Sequence, residues 1–458
     1  MNRDDVICAI STAPGMGAIA VLRLSGEGAI ALTDRVFVSP SGRKLAEAAG
    51  NTVHFGRVFA GEELVDEVLV TVFRAPHSFT GEESVEIACH GSVYIQQRLL
   101  RLLVDAGARL ATPGEFTQRA FLNGKMDLSQ AEAVADLIAS SSAASHRMAL
   151  SQMKGGFSAE LVKLRADLLH ITSLLELELD FSEEDVEFAD RSELRKIAGN
   201  IRTLLVRLCH SFAVGDVIKN GVPVAIVGNT NVGKSTLLNA LLNEDRAIVS
   251  DVAGTTRDVI EDTVNLNGVT FRFIDTAGIR HTEDVVEKIG VKKAYDTMEN
   301  ADLILYVVDA SRPLDENDIA IMEKIKDLKV IVLLNKTDLD PVVDADEIHK
   351  YLSQDILPFS AKNGQGLDYL EKMITDMFFT GQIMDSNEVF ITNARHIAAL
   401  SDANESLKHV VESISMDMPE DFLSIDLMDA YESLGIIIGE SVEEDLVNEI
   451  FAKFCTGK

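Results

Sequence analysis

The chain has 458 residues, of which 47% are hydrophobic, and this is enough for about three domains of ordinary size. Its apolar runs are of strand length, far short of the about 20 residues that span a bilayer, so we expect a soluble protein with no membrane segment. The N-terminal residues lack the pattern of a secretory signal and the four scattered cysteines lack metal-ligand spacing, which predicts a cytoplasmic location. The net charge of −31 argues against broad adhesion to nucleic acid but does not exclude a local basic patch.

Residues 1–120 are expected to form a mixed α/β domain. Apolar or alternating runs predict strands over residues 7–10, 18–24, 53–59, 65–73 and 85–89, followed by a helix over 94–105 that ends at Gly107. The loop from Pro14 to Gly17 lies between two of these strands, and we interpret it as a turn.

The pattern becomes helical from Leu128. Ser129 and Glu132 have the spacing of a capping box at a helix start. An apolar stripe at spacings of three and four predicts the packed seam of a bundle; it consists of Leu161, Leu164, Leu168, Ile171 and Leu175. After residue 380 the helical pattern returns, with a second capping box predicted at Ser441 and Glu444 and a last helix over 446–454. We expect one helical domain in two parts, 121–218 and 380–458, although two separate helical domains would give the same pattern.

Between these parts, residues 219–379 alternate strands with helices, which predicts a doubly wound parallel sheet. Asn267-Gly268 separates two alternating runs and predicts a hairpin, so one edge strand should be antiparallel. The segment VAIVGNTNVGKSTL, residues 224–237, has the composition of a buried strand, a turn and a helix start. It predicts a phosphate-binding loop, because backbone N–H groups and a helix N-terminus attract anions, and Gly228 and Gly233 carry no Cβ to crowd them.

The bound nucleotide is predicted by what surrounds this loop. Lys234 is expected to reach the β- and γ-phosphates, and the Ser235 hydroxyl to bind Mg²⁺. NKTD, residues 335–338, follows a predicted buried strand and favours guanine, because the Asp338 carboxylate can accept hydrogen bonds from both N1–H and the 2-amino group. Asn335 and Lys336 are expected to hold this base-binding loop. The triplet 360–362 completes the pocket, with the N–H of Ala361 available to guanine O6.

Two further motifs lie between these segments. In DTAG, residues 275–278, a carboxylate can hold Mg²⁺ through water and the Gly278 N–H can meet the γ-phosphate. In GTTRD, residues 254–258, Thr256 is the natural second hydroxyl ligand of Mg²⁺. The phosphate loop, GTTRD, DTAG and NKTD follow one another in the chain in this order, and together these four motifs predict GTP binding and hydrolysis. The predicted nucleotide-binding residues are Asn231, Val232, Gly233, Lys234, Ser235, Thr236, Ser250, Val252, Ala253, Gly254, Thr255, Thr256, Asp275, Thr276, Ala277, Gly278, Asn335, Lys336, Asp338, Ser360, Ala361 and Lys362.

The catalytic group that orients water is not at its usual place. Many regulatory GTPases use a Gln directly after the DTAG motif, but here Ile279 stands there and cannot form a hydrogen bond. We take Glu287 as the candidate for this role, beside Lys234 and Thr256 as further catalytic residues. No arginine finger is evident, so the transition-state charge could be stabilised by Arg257 or Arg280, by a partner, or by a monovalent cation. Asn231 offers a side-chain oxygen beside the phosphates, and residues 250–255 could add backbone carbonyls.

Together these motifs resemble the tRNA modification GTPase family MnmE, also called TrmE, over the whole chain. The resemblance is carried by PGEFTQRAFLNGKMDLSQAEA (113–133), GNTNVGKSTLLNAL (228–241), SDVAGTTRD (250–258), DTAGIR (275–280), NKTD and the terminal FCTGK. Thr456 departs from the aliphatic residue that is usual in the terminal motif, which weakens the transfer of any role tied to that tail.

The resemblance implies an N-terminal α/β domain that binds a formyl-tetrahydrofolate and pairs two subunits into a homodimer, a central helical domain, and an inserted Ras-like P-loop GTPase domain. It implies K⁺ in place of an arginine finger, bound by Asn231 and by carbonyls of Ser250, Val252 and Thr255. It places the water-orienting glutamate at Glu287. Folate contacts fall on Arg23, Glu82, Lys125 and Lys458. Cys455 is either a chemical participant or an ordinary thiol on a mobile tail, and its role stays open.

The resemblance also implies a reaction. With a flavoprotein partner of the MnmG (GidA) type, members of the family install an aminomethyl-type group at C5 of the wobble uridine, position 34, of certain tRNAs, and folate would supply the one-carbon unit. A heterotetramer is expected, with FAD and NADH entering through the partner and tRNA bound directly or by the partner. The rival interpretation is a ribosome-assembly or regulatory switch GTPase whose flanking domains are interaction modules.

Overall fold

The computed structural model of the chain describes residues 5–180, 191–242, 262–266, 269–274, 298, 300–378, 390–416, 418–440, 442 and 444–457. The chain divides into two compact units. The first comprises Met1–Ile138, Leu150–Val206 and Ala398–Lys458, and the second comprises Ala139–Ala149 and Arg207–Ile397. Within the described ranges, no helix is long and apolar enough to cross a membrane. The domain boundaries near residues 120, 218 and 379 stay predictions.

The first unit begins with a seven-stranded sheet and two helices. Its strands lie in the order β3-β4-β5-β6-β2-β1-β7, and neighbours are antiparallel except for the parallel pair β1 and β7. The elements are β1 (Ile7–Ile10), β2 (Ile19–Ser25), α1 (Ala29–Thr33), β3 (Phe37–Val38), β4 (Thr52–Ala60), β5 (Glu63–Phe73), β6 (Ser84–His90), α2 (Val93–Asp105) and β7 (Arg109–Leu110). The five predicted strands and the predicted helix are confirmed, whereas α1, β3 and β7 had not been predicted.

The core of this sheet follows from the alternation along its strands. Val68, Val70 and Val72 of β5 are at most 1% exposed, and they pack in one cluster with Leu99 and Leu103 of α2. Apolar residues at every second position of a strand share one face, so that face is buried by the helix. Another unpredicted helix, α3 (Glu115–Leu122), follows β7.

Four helices continue the chain: α4 (Leu128–Ala139), α5 (Ala143–Met153), α6 (Gly156–Asp180) and α7 (Arg191–Asn220). The capping box predicted at Ser129 and Glu132 is wrong. Asp127 caps α4 instead, because its carboxylate accepts from the Gln130 N–H at 2.9 Å while its own N–H donates to Gln130 Oε1 at 3.0 Å. Ser129 lies inside the helix and is 1% exposed, so it cannot serve as the cap. The predicted stripe on α6 is confirmed, since all five of its residues are buried.

The second unit contains a six-stranded sheet in the order β13-β12-β11-β8-β10-β9. Its elements are β8 (Val222–Val227), α8 (Lys234–Leu242), β9 (Asp262–Leu266), β10 (Val269–Phe273), β11 (Leu303–Asp309), α9 (Glu316–Ile325), β12 (Val330–Asn335), α10 (Ala345–Ile348), β13 (Ile356–Pro358) and α11 (Leu367–Phe378). β9 pairs antiparallel with β10 and the other pairs are parallel, so the predicted sheet and its antiparallel edge are confirmed. The turn residues 267 and 268 lie outside the described residues.

Helices cover both faces of this sheet, as the sequence of β11 shows. Leu303, Leu305 and Val307 belong to a core cluster with residues of α8 and α11, whereas Ile304 and Tyr306 belong to a second cluster with residues of α9. Every residue of β11 is buried, which is typical of a central strand in a parallel sheet. A strand of this kind places its carboxyl end, and the loop that follows, at the edge where ligands bind.

The chain returns to the first unit through α12 (Ala394–Ser415) and then forms α13 (Glu420–Ile438) and α14 (Glu444–Ala452). Arg165 of α6 is 6% exposed, and its guanidinium lies 4.0 Å from the ring centroid of Tyr431 on α13. Arg165 also pairs with Glu440, directly beyond the C-terminal end of α13. The last predicted helix is present, but it begins and ends two residues earlier than predicted. The capping box predicted at Ser441 and Glu444 lies outside the side chains that the structure describes.

Candidate functional site

The predicted phosphate loop connects β8 to α8. Two of its glycines are required by neighbouring strands: a Cβ on Gly228 would lie 2.4 Å from the carbonyl oxygen of Val307, and a Cβ on Gly233 would lie 2.3 Å from Asn335 Nδ2. Gly233 also has a φ of 103°, which a residue with a side chain rarely adopts. The loop is therefore held closely against the ends of β11 and β12.

Lys234 and Ser235 open α8, directly after this loop. Lys234 Nζ donates to the carbonyl oxygens of Gly228 at 2.9 Å and Asn229 at 2.6 Å, and burial lowers the pKa of Lys234. The ammonium thus lies against the phosphate loop, where backbone N–H groups and the helix N-terminus favour anions. Ser235 lies in the first turn of α8, so its hydroxyl fits the role predicted for it as one ligand of Mg²⁺.

Asn231 lies at the tip of the loop. Its φ of 59° is in the left-handed region, which asparagine tolerates better than most residues, and its side chain is exposed. Because the side chain is exposed, its carboxamide oxygen fits the role predicted for it as one ligand of a cation. The donors predicted alongside it at Ser250, Val252 and Thr255 lie outside the described residues.

The base-binding loop is joined to the phosphate loop by Asn335. This residue ends β12 and is 2% exposed. Its Nδ2 donates to the Val232 carbonyl at 2.7 Å, and its Oδ1 accepts from the Ala361 N–H at 2.9 Å. The predicted role of Asn335 in holding the loop agrees with these contacts. The Ala361 N–H was predicted to be available to guanine O6. The structure disagrees with that prediction, because this N–H already donates to Asn335.

Asp338 presents its carboxylate at the surface of the same loop. The buried Ser360 hydroxyl donates to Asp338 Oδ1 at 2.8 Å, whereas Asp338 itself is exposed. One oxygen is thus fixed from inside, and the carboxylate can turn its remaining acceptor capacity outward. Lys362, also exposed, follows Ala361. This arrangement suits a base edge that offers two neighbouring donors, as guanine does and adenine does not.

Lys336 adopts a strained backbone and a fixed side chain. Its φ is 67°, and its Nζ lies 2.6 Å from Oδ2 of Asp309, at the end of β11. Burial would raise the pKa of Asp309, but hydrogen bonds from Lys336 and Ser311 outweigh it and hold the pKa below the usual range for a carboxyl group. The sequence analysis had assigned no role to Asp309.

Several predicted site residues lie outside the described residues, and their roles stay predictions. They are Ser250, Val252, Ala253, Gly254, Thr255, Thr256, Asp275, Thr276, Ala277, Gly278, Glu287 and Lys458. Among the described residues, no cluster of three His, Cys, Asp or Glu side chains could hold a metal ion.

Two residues predicted to contact folate, Arg23 and Lys125, contact residues 76–82 of the first unit, and the third, Glu82, is the last residue of that segment. The Arg23 guanidinium lies 5.5 Å from the ring centroid of Phe79 and pairs with Glu86 at 2.7 Å. Glu82 accepts from the Ser25 hydroxyl at 2.8 Å, and Lys125 Nζ donates to the Pro76 carbonyl at 3.0 Å. The structure therefore brings the three together at this segment.

A buried ion-pair network supports this region. Arg119 of α3 is 6% exposed and lies 3.4 Å from Glu82, 2.6 Å from Asp5 and 3.1 Å from Glu115. Glu115 is fully buried and also pairs with Arg109 at 2.6 Å. Sequence reasoning missed Arg119, because single charged residues on a short helix give no indication of distant partners.

The C-terminal tail packs against the N-terminal sheet. The Gly114 N–H donates to the Cys455 carbonyl at 3.3 Å, and the Ser11 hydroxyl donates to the Gly457 carbonyl at 3.2 Å. Gly457 is buried, whereas the Cys455 side chain is exposed. These contacts hold the backbone of residues 455 and 457 against the first unit, and the role of the Cys455 thiol stays open.

A phosphate loop at a strand–helix turn, joined through a buried asparagine to an NKTD loop with an exposed aspartate, defines the class of P-loop guanine-nucleotide-binding proteins. Comparison with known proteins places the chain further. Residues 6–125 match the family described as GTP-binding protein TrmE N-terminus, and residues 128–455 match the family described as MnmE helical domain.

Relatives extend this likeness over the full length. The chain is 51% identical to the tRNA modification GTPase MnmE of Bacteroides thetaiotaomicron and 51% identical to that of Bacteroides fragilis, with 100% of each chain covered. It is 49% identical to the protein of the same name from Christiangramia forsetii, again with 100% of both chains covered. The chain belongs to the tRNA modification GTPase family MnmE.

Proposed function

We propose that the chain is a GTP hydrolase that acts in tRNA modification. The observation that carries this proposal is the link through Asn335. Its side-chain amide forms hydrogen bonds with Val232 and Ala361, and these hold the phosphate loop and the Asp338 carboxylate in one site. A nucleotide bound there would place its phosphates on the N-terminus of α8 and its base beside Asp338. Membership in the MnmE family supports the same conclusion over the full length of the chain.

In the proposed mechanism, Lys234 neutralises charge on the β- and γ-phosphates, and the Ser235 and Thr256 hydroxyls would hold Mg²⁺. Bound Mg²⁺ would supply charge stabilisation to the transferred phosphoryl group. The Gly278 N–H meets the γ-phosphate, and Glu287 orients the attacking water. Such preorganised donors act mainly on the charge that develops in the transition state.

A potassium ion is proposed in place of an arginine finger. Asn231 would supply a side-chain oxygen, and Ser250, Val252 and Thr255 would supply backbone carbonyls. The exposed carboxamide at the tip of the phosphate loop supports this proposal. The test is GTP turnover of the whole chain in KCl and in NaCl at equal ionic strength. Turnover should fall at least about tenfold in NaCl, and equal rates in the two salts would remove the cation from the mechanism.

The water-orienting role of Glu287 has its own test. Glu287→Ala should lose turnover while it keeps its affinity for GTP, because the carboxylate would act on water and not on the nucleotide. Glu323→Ala, which changes an exposed glutamate on α9, is the matched control and should keep both properties. Normal turnover in Glu287→Ala would assign water activation to another group.

The wider reaction is proposed from the family. As a homodimer in the cytoplasm, the chain would act with an MnmG-type flavoprotein to modify C5 of the wobble uridine of certain tRNAs, with a formyl-tetrahydrofolate as one-carbon donor. Arg23, Glu82, Lys125 and Lys458 would hold the folate, whose anionic glutamate tail suits cations and whose pterin edge suits a carboxylate. The contacts of Arg23 and Lys125 with residues 76–82, the segment that ends at Glu82, support this proposal.

Two measurements test this wider proposal. Binding of 5-formyltetrahydrofolate to the full chain should be weakened by Lys125→Met and unaffected by Lys44→Met, which removes an exposed lysine from another part of the same unit. Wobble nucleosides of a deletion strain should lose the aminomethyl-type group and regain it when the gene is restored. Intact wobble nucleosides in the deletion strain would favour the rival role in ribosome assembly or signalling.

A further inference from the structure

The 309–315 loop, sequence DASRPLD, begins at Asp309, the last residue of β11, and ends at Asp315. It contacts both nucleotide-binding loops. At one end, Asp309 Oδ2 lies 2.6 Å from Lys336 Nζ in the base-binding loop. At the other end, Asp315 Oδ2 accepts from Asn229 Nδ2 in the phosphate loop at 2.7 Å. The site therefore has a connection between its two halves in addition to Asn335.

The Asp309 end is built to hold an ion pair. Asp309 is 6% exposed, and its second oxygen accepts from the Ser311 N–H at 2.9 Å and from the Ser311 hydroxyl at 2.6 Å. These contacts fix the carboxylate so that one oxygen faces Lys336. Lys336 has a φ of 67°, in the left-handed region that a residue with a side chain rarely adopts. An ammonium paired with a fixed carboxylate loses its rotational freedom before any ligand arrives.

The Asp315 end is also fixed, though it is closer to solvent. Its Oδ1 accepts from the Asp318 N–H at 3.0 Å as the N-cap of α9, and Arg312 lies 3.1 Å from Oδ2. The side-chain Oδ1 of Asn229 accepts from the Thr230 N–H at 2.8 Å, and this orients the Nδ2 group of the same side chain toward Asp315. The contact ties the start of the phosphate loop to the start of α9.

We propose that the 309–315 loop is a positioning element that sets the guanine side and the phosphate side of the site together. Asp309 holds Lys336 alongside the base, and Asp315 holds Asn229 beside the phosphates. Neither aspartate touches the nucleotide, so both are positioning residues. The proposal rests on the proposed binding of guanine nucleotide, and it adds that retention of the nucleotide depends on this loop.

The test is the rate at which a fluorescent methylanthraniloyl-GDP dissociates from the full-length protein. Asp309→Asn should release it about tenfold faster, which is the effect expected when a charge-assisted hydrogen bond is lost. Asp315→Asn should release it about threefold faster, because this contact is more exposed and screened. Asp344→Asn is the matched control: Asp344 caps α10 by accepting from the Glu347 N–H at 3.0 Å, and its loss should leave release unchanged.

A second comparison separates positioning from simple destabilisation. In a Lys336→Met background, Asp309→Asn should have no further effect on release, since Asp309 acts through Lys336. The proposal is overturned if Asp309→Asn releases the nucleotide at the unmodified rate, or if it speeds release equally in both backgrounds. If Asp309→Asn does not fold, Ser311→Ala replaces it, with release about threefold faster expected and an unchanged rate overturning the proposal. Failure of the unmodified chain to bind the nucleotide at all would instead contradict the proposed function.

Discussion

Asn335 donates a buried hydrogen bond of 2.7 Å to the carbonyl of Val232, a residue that precedes it by 103 positions. The bond joins the end of β12 to the phosphate loop, and Gly233 follows Val232 directly. Leaving such buried groups unpaired costs about 1–3 kcal/mol, so the two loops are coupled in stability as well as in position. A change on one loop should therefore disturb the other.

Gly233→Ala should strongly weaken nucleotide binding. The new Cβ would lie 2.3 Å from Asn335 Nδ2, and the residue has a φ of 103°. The methyl group must displace the asparagine or the loop, so we expect affinity for GDP to fall at least about a hundredfold, equivalent to about 3 kcal/mol. Equilibrium titration with fluorescent GDP measures this effect. Gly199→Ala is the control, because a Cβ there meets nothing within 4 Å inside α7, and it should bind normally and unfold at a slightly higher temperature.

The capping assignment on α4 can be tested by two alanines. Asp127→Ala should reduce the free energy of unfolding by about 1 kcal/mol, because it removes a reciprocal cap. Ser129→Ala should be neutral or slightly stabilising, since the buried Ser129 hydroxyl has no hydrogen-bond partner among the residues that the structure describes. Urea denaturation of both variants measures the difference, and the reverse order would restore Ser129 as the cap.

The ion pairs of α3 should make the first unit sensitive to acid. Burial would raise the pKa of Glu115, but hydrogen bonds from Arg109 and Thr112 outweigh it and hold the pKa below its usual range. A carboxyl group with a depressed pKa stabilises the fold above its unfolded pKa, about 4.3 for Glu, and loses that contribution as the pH falls through the folded pKa. The free energy of unfolding should thus change little from this source between pH 7 and about pH 5, and fall below about pH 4.

Glu115→Gln tests this at neutral pH. It should cost about 1–3 kcal/mol and flatten the acid slope, because Arg109 and Arg119 lose the buried carboxylate that they share and keep only their ion pairs with Asp5 and, for Arg119, Glu82. Glu67→Gln is the control: its partner Arg57 is half exposed, so the cost should stay below about 1 kcal/mol. Similar costs for the two variants would show that burial of the network adds nothing.

The C-terminal tail should detach when its glycine gains a side chain. A Cβ on Gly457 would lie 2.4 Å from the Ile10 carbonyl, so Gly457→Ala should speed removal of the last residues by carboxypeptidase about tenfold, equivalent to about 1.4 kcal/mol of docking. Gly42→Ala shares a positive φ, 69°, but meets nothing within 4 Å, and it should leave cleavage unchanged. Equal cleavage of Gly457→Ala and the unmodified chain would mean that the tail does not depend on this contact.

The sequence predicted those parts of the fold whose pattern is local. Strands such as β4 and the apolar stripe of α6 follow from spacing alone. α3 was missed because its buried positions include Glu115, Thr117, Gln118 and Arg119, so it has no apolar periodicity and depends on partners such as Asp5, more than a hundred positions away. The cap of α4 was misassigned because Asp127–Gln130 and Ser129–Glu132 share the same spacing, and burial decides between them.

The site, like the fold, was predicted only where its residues form a local pattern in the chain. The phosphate loop and NKTD are contiguous motifs and could be recognised in the chain. Asp309, Asp315 and Asn229 could not, because their contacts join segments that become neighbours when β8, β11 and β12 pair in one sheet. The occupied N–H of Ala361 is likewise a consequence of where Asn335 points, which no spacing reveals.

The account depends most on the choice of guanine by Asp338, and phosphate release by the unmodified chain and by Asp338→Asn tests it directly. The unmodified chain should hydrolyse GTP and leave ATP and xanthosine triphosphate untouched. In Asp338→Asn an amide donor replaces one acceptor, so hydrolysis should fall for GTP and appear for xanthosine triphosphate, whose base carries a carbonyl in place of the 2-amino group. Undiminished hydrolysis of GTP by Asp338→Asn would contradict the account.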